Sequence, residues 1–234
     1  MILIILATTI FCYLKNKVEK GSESNFIKQK KVIFQTDDGV NIVGDFYYNP
    51  NSKFAGILVH SLGSNKERFK NLSEYLLKSN YSILAIDLRG HNESINSING
   101  RLNWKDIDCK NYIYDLFSAS KFLETKGFKI SNQFLIGEEE GANISLKFLS
   151  LNEDIKALVL LSPKENYCGI SLEKYIKKEM ENKIMIITDR NFDLFQKSFA
   201  SSTILTYQKK FKDKIFDIKE INDKIKVFLI EHLI

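Results

Sequence analysis

The chain has 234 residues, with 34 Lys and Arg against 29 Asp and Glu, a net charge of +5. Its hydrophobic fraction of 44% and charged fraction of 27% are those of an ordinary globular protein with one sizeable core, which excludes a disordered or fibrous chain. The lysines are scattered, so no nucleic acid is expected as a partner. Cys12, Cys109 and Cys168 and the histidines His60, His91 and His232 show no zinc spacing, so no metal and no other cofactor is expected.

Met1 to Leu14 is apolar and carries no charged side chain before Lys15. As a helix it would be about 20 Å long, short of the roughly 30 Å hydrocarbon core. That length suits the apolar region of a signal peptide or a short anchor. Cys12 stands where a bacterial lipoprotein signal places its lipidated Cys, although bulky Phe11 precedes it where a small residue is expected. Residues 1–20 are therefore read as a membrane-targeting segment and 21–30 as a tether. The rival reading is a buried first helix. Membrane association and export follow as expectations, as a lipoprotein or an anchored protein. Lys15, Lys17 and Lys20 would instead favour a cytoplasmic domain on an uncleaved anchor.

From residue 31 onward the pattern is that of a folded domain. Lys31 to Gln35 and Val40 to Tyr48 read as strands around Asp37-Asp38-Gly39. Ala55 to Val59 and Ser82 to Ile86 are continuous apolar runs, the pattern of strands buried on both faces. Between them, Phe69, Leu72, Leu76 and Leu77 give Ser64 to Ser79 a helical period. A second helix carries Tyr112, Leu116, Ala119 and Leu123 and ends near Gly127. Asn132 to Ile136 is a strand, and it runs into Gly137-Glu138-Glu139-Glu140-Gly141 before the helical run from Ala142 to Leu151. In a strand–turn–helix of this kind the middle residue stands at the carboxyl edge of the sheet, beside free helix N–H groups. Ala157 to Leu161, Ile184 to Thr188 and Thr203 to Tyr207 are further strands, and a last helix covers about Lys219 to Leu233. A hairpin followed by alternating strands and helices implies a mostly parallel sheet covered on both faces, with ligands at the carboxyl ends of its strands.

The order of these motifs resembles the α/β-hydrolase superfamily, over roughly Val32 to Ile234. His60-Ser61-Leu62-Gly63 is similar to its His-Gly-x-Gly oxyanion loop, with Ser61 in place of the first Gly. Asp87-Leu88-Arg89-Gly90-His91-Asn92-Glu93-Ser94 resembles its D-x-R-G-H-G-x-S loop, and Leu161-Ser162-Pro163 the end of its sixth strand. The resemblance implies an α/β-hydrolase fold over residues 31–234, with about eight strands. Ser162 to Asn182 leaves room for a small lid or none.

The resemblance also implies a nucleophile at position 139, which here is Glu139. The family's base follows the last strand, where this chain has Lys209 and Lys210 and no His. Its acid follows the seventh strand, where Asp189 and Asp193 are the candidates. Without nucleophile and base the acyl-transfer mechanism is lost. The expectation is a triad-degenerate, membrane-associated protein with a binding or structural role, taking a small molecule or a protein at the old active-site cleft or its rim. The alternatives are an active hydrolase, esterase-like or using Glu139 as nucleophile, and a partner-binding scaffold.

Lys209 or Lys210 is expected to pair with Glu139, or with its neighbour Glu138 or Glu140, across the vacated site. His60 and His91 are expected as hydrogen-bonded loop residues, with His60 as a base the sharper alternative. Cys109 and Cys168 fall near the carboxyl edge of such a sheet. Export would allow a disulfide between them; two free thiols are the default expectation.

Overall fold

In a computed structural model, residues 28–189, 203–206 and 218–233 are described. The proposed targeting segment with Cys12, most of the tether, and Asp193, Lys209 and Lys210 lie outside them. Among the described residues, no helix is long and apolar enough to cross a membrane.

Eight strands form the main sheet: β1 (Lys28–Gln35), β2 (Val40–Tyr48), β3 (Ala55–Val59), β4 (Ser82–Ile86), β5 (Gln133–Glu138), β6 (Ala157–Leu161), β7 (Ile184–Thr188) and β8 (Thr203–Thr206). Their spatial order is β8-β7-β6-β5-β3-β4-β2-β1, and a short ribbon, Asn96–Ser97 with Gly100–Arg101, adds to β2. The hairpin β1–β2 and the pair β2–β4 are antiparallel. All pairs from β4 through β3, β5, β6 and β7 to β8 are parallel. The mostly parallel architecture expected from the alternation of elements is present.

Strand periodicity sorts the buried residues into two cores. Ile57, Leu135, Leu158, Leu160 and Ile186 point to one face, where they meet helices α2 (Tyr112–Thr125) and α3 (Glu140–Leu151). Leu58, Phe134, Ile136, Val159 and Ile187 point to the other, against α1 (Lys70–Lys78) and α4 (Lys219–Leu233). This is why the central strands read as unbroken apolar runs rather than alternating ones.

One segment differs from the sequence reading. Residues 64–79 are not one helix, because Asn65 caps a 3₁₀ turn, Lys66–Phe69, by accepting from Glu67 N–H at 3.0 Å. The stretch between β6 and β7 carries only a ribbon (Asn166–Tyr167 with Ile170–Ser171), one helical turn (Leu172–Tyr175) and a 3₁₀ segment (Lys178–Lys183).

The Asp87–Ser94 loop is held by buried charge. Asp87 accepts from Lys66 N–H and Lys66 Nζ, both at 2.8 Å, with Lys66 and Asp87 side chains almost wholly buried. Arg89 bridges two carboxylates: its N–H and Nε donate to Asp115 at 2.8 and 2.7 Å, and its terminal nitrogens to Asp38 at 2.6 and 2.9 Å. Burial pushes the Asp115 carboxyl up to about 7, while the Arg89 guanidinium pulls it down.

Candidate functional site

β5 and α3 meet at Glu139, whose backbone takes φ 48° and ψ −114°. That left-handed-side conformation is costly for a residue with a Cβ, roughly 1–3 kcal/mol, and persists only where the surroundings impose it. They do so here by close packing. A Cβ on Gly137 would lie 2.5 Å from Gly141 O, and one on Gly141 would lie 2.4 Å from Val59 O and 2.5 Å from His60 O. Glu139 N–H is tied to Leu161 O at 2.8 Å, so the turn is fastened to β6 as well.

The three carboxylates go to three places. Glu138, still in strand register, points to the α1 face, where Arg68 grips it with Nε at 2.8 and 2.5 Å and Nη2 at 2.5 Å. Glu139 stands on the carboxyl edge and pairs with Lys164 Nζ at 2.5 Å. Glu140, in the first turn of α3, turns back onto the His60–Gly63 loop, where its Oε2 accepts from Leu62 N–H at 3.2 Å. Its Oε1 is 3.5 Å from the same Lys164 ammonium. One cation thus serves two carboxylates at the N-terminus of α3, where the helix dipole favours negative charge. The Glu139–Lys164 pair is about a third exposed on each side, so it contributes only about 0–1 kcal/mol.

A basic partner for the elbow was expected in Lys209 or Lys210, which lie outside the described residues. The observed partners are Lys164 and Arg68. Lys164 follows β6, the strand hydrogen-bonded to β5 with Glu138 opposite Leu161, so its backbone starts beside the elbow. What brings Lys164 there is the adjacency of β5 and β6 in the sheet, which no local sequence signal announces.

His60 is fully buried. Its Nε2 accepts from Leu88 N–H at 3.0 Å, which leaves Nδ1–H to donate to Ser61 O at 2.7 Å. His91 accepts from Gly63 N–H at 3.0 Å through Nε2 and donates through Nδ1 to Arg89 O at 3.0 Å. Both rings are spent on the backbone, edge to face 5.0 Å apart, and Trp104 stacks on His91 at 5.3 Å. Neither has a nitrogen left for a base. Through its backbone carbonyl, Ser61 accepts from His60; Gly63 turns with φ 80°. His232 lies on α4, with Nδ1–H on Phe228 O at 2.7 Å and its ring over Phe228. Asp189 directly follows β7 and is partly buried. Ser162 is buried in the loop after β6, with φ 46° and its N–H on Ile187 O at 2.8 Å.

Burial pushes the His60 imidazole down to about 4, and His91 down as well. The sign follows: from pH 6.5 to about 4 the unfolded chain takes up a proton at His60 that the folded one refuses. His60's own contribution to stability should fall by about 3 kcal/mol as pH drops through that window, against an opposite change from Asp115, whose raised carboxyl gains stability there. Urea unfolding of wild type and His60→Gln at pH 7.5 and 4.5 measures it, because the variant keeps the Asp115 change and lacks the loss due to His60. An equal slope in wild type and variant would contradict the assignment.

The default of two free thiols is overturned. Cys109, opening a 3₁₀ turn ahead of α2, and Cys168, in the ribbon turn after β6, form a disulfide with Cα atoms 6.3 Å apart. The fold brings their loops together over the carboxyl edge, which a separation of 59 residues in sequence does not reveal.

Fold and elbow define the α/β-hydrolase class. The chain belongs to the serine aminopeptidase S33 family, whose model matches residues 51–193. A curated relative, protein phosphatase methylesterase 1 of Candida albicans, is 29% identical over 143 residues, 59% of this chain but only 36% of that protein's length. An esterase of Pyrococcus furiosus superposes with a TM-score of 0.71 at 19% identity, covering 88% of this chain and 92% of the other. The α/β hydrolase GrgF of a Penicillium species gives 0.68 at 14% identity, covering 87% and 98%.

Proposed function

We propose that this member of a hydrolase family binds a ligand at its elbow without performing acyl transfer. The observation that carries this reading is the Glu140 carboxylate on Leu62 N–H. In the serine-hydrolase plan an N–H of the loop after β3 and the N–H after the nucleophile stabilise the oxyanion. Here a fixed negative charge takes up the first donor, and Glu139 puts a second where the nucleophile would stand. Both repel the charge that acyl transfer must build. A small molecule or a protein segment able to replace Lys164 at the two carboxylates would fit the site.

The test is a fluorophosphonate probe, which should leave the protein unlabelled. Glu139→Ser alone should restore neither labelling nor esterase turnover, because no imidazole is placed to serve it. Stoichiometric labelling that disappears on mutating one Ser would overturn the reading.

A second reading is an active hydrolase, esterase-like or with the Glu139 carboxylate as nucleophile. Likeness favours it over the first, since the named relatives are hydrolases, an esterase and a methylesterase. It predicts ester turnover that Glu139→Gln abolishes. A partner-binding scaffold is the third, supported if a partner binds while Glu139 and Lys164 stay accessible.

We also propose that the protein is exported and membrane-associated through residues 1–20. The apolar run and the Cys109–Cys168 disulfide support this, since disulfides persist in oxidising compartments. Deleting residues 1–20 should move the protein to the soluble fraction, and Cys12→Ser should abolish lipid labelling if the anchor is a lipoprotein. Equal solubility of both forms would sink the idea.

A further inference from the structure

The loop after β6 rises beside the elbow and is held at two levels. At its feet, Asn143 on α3 accepts from Lys164 N–H at 3.0 Å and donates to Lys164 O at 3.0 Å and Ile170 O at 2.9 Å. At its tip, Glu165, Asn166, Cys168 and Gly169 are exposed, and a Cβ on Gly169 would meet nothing within 4 Å. The tip is tied down by the disulfide to Cys109 and by the Tyr167 ring, which packs on the core beneath the α2–α3 face. Tyr167 lies within the field of Glu140 and Asp108, and burial with those charges pushes its phenol up to about 12.

We propose that the Cys109–Cys168 disulfide is a redox-operated strap on the loop that begins at Lys164, the cation on the elbow carboxylates, and that its reduction by a dithiol frees the tip from Glu165 to Gly169 and loosens that cover of the elbow. The purpose of such a strap rests on the reading of the elbow as a ligand site, but its test reads the loop and not activity. A failed strap and a failed ligand site are therefore distinguishable.

The chemistry balances with a dithiol as co-reactant. Its thiolate attacks the Sγ of exposed Cys168, the S–S bond breaks, and its electron pair leaves on Cys109, which takes a proton. The second thiol of the reductant then attacks the mixed disulfide and releases Cys168. The protein gains two electrons and two protons, and the reductant becomes a disulfide. Attack at Cys168 is favoured because Cys109 is partly buried against the core.

The experiment compares the oxidised protein with protein reduced by dithiothreitol and alkylated, and with Cys109→Ser/Cys168→Ser. Hydrogen exchange at residues 165–169 and nitration of Tyr167 by tetranitromethane are read, with buried Tyr112 as internal control. Both signals should rise on the order of tenfold without the bond, with Tyr112 unreactive throughout. If the double variant does not fold, the reduced and alkylated wild type carries the comparison. Unchanged rates at Tyr167 would overturn the proposal. So would reaction of Tyr112 alongside it, which would mean global unfolding, or alkylation of both Cys109 and Cys168 in protein never exposed to reductant.

Discussion

Arg89→Met should destabilise the fold by about 3–5 kcal/mol, the cost of breaking a buried ion pair from one side. Asp115 is fully buried and takes Arg89 N–H and Nε on its two oxygens. Removing the guanidinium leaves a carboxylate in apolar surroundings that it can escape only by taking a proton. Its folded pKa, already raised to about 7 by burial, would rise further. A raised carboxyl contributes stability at low pH and loses it as pH rises, so the variant should be weaker at pH 8 than at pH 5.5. Arg89→Met/Asp115→Leu should recover much of the loss, because an apolar pair of similar volume avoids desolvating charge. Urea unfolding of the three proteins at both pH values measures all of this. A loss below about 1 kcal/mol for the single change would show that the pair contributes little.

Removing the disulfide should cost about 4 kcal/mol by chain entropy, because it closes a loop of 59 residues of sequence. The bond restricts the unfolded chain as a whole, whereas in the folded one it holds only the tip of the loop after β6. Cys109→Ala/Cys168→Ala should therefore unfold at lower urea while its native far-ultraviolet dichroism is unchanged. The denaturant slope of the variant should rise, since an unfolded chain without a cross-link exposes more surface. A variant as stable as the wild type would mean that the denatured chain already holds the two loops together.

Much of this architecture could be read from local signals. Ala55–Val59, Ser82–Ile86, Ala157–Leu161 and Ile184–Thr188 have the bounds that their apolar runs indicate, because strands buried on both faces tolerate no polar break. The elbow was legible because its two glycines answer to contacts no side chain could survive. The partners at the site were not. Lys164 meets Glu139 only because β6 lies next to β5, and Arg68 meets Glu138 only because β5 alternates its faces over α1. The Glu140 carboxylate reaches Leu62 N–H across 78 residues of chain. Pairings of that kind belong to sheet order, not to spacing. The stretch from Ser162 to Lys183 has too few apolar residues at a helical period to announce its ribbon and short turns.

The glycines of the elbow carry one more implication, for the history such a turn permits. Gly137 and Gly141 are required by backbone atoms of Val59, His60, Gly141 and Ala142, and none of those atoms belongs to the side chain of residue 139. Architecture and reagent are therefore separable: the turn keeps its shape whatever stands at its apex. An ancestor with a nucleophile there could exchange it in a single step and lose its reaction without losing its fold. In such a history the exchanged position, raised at the sheet edge by a strained backbone, would remain a prominent place for a new side chain to be put to use.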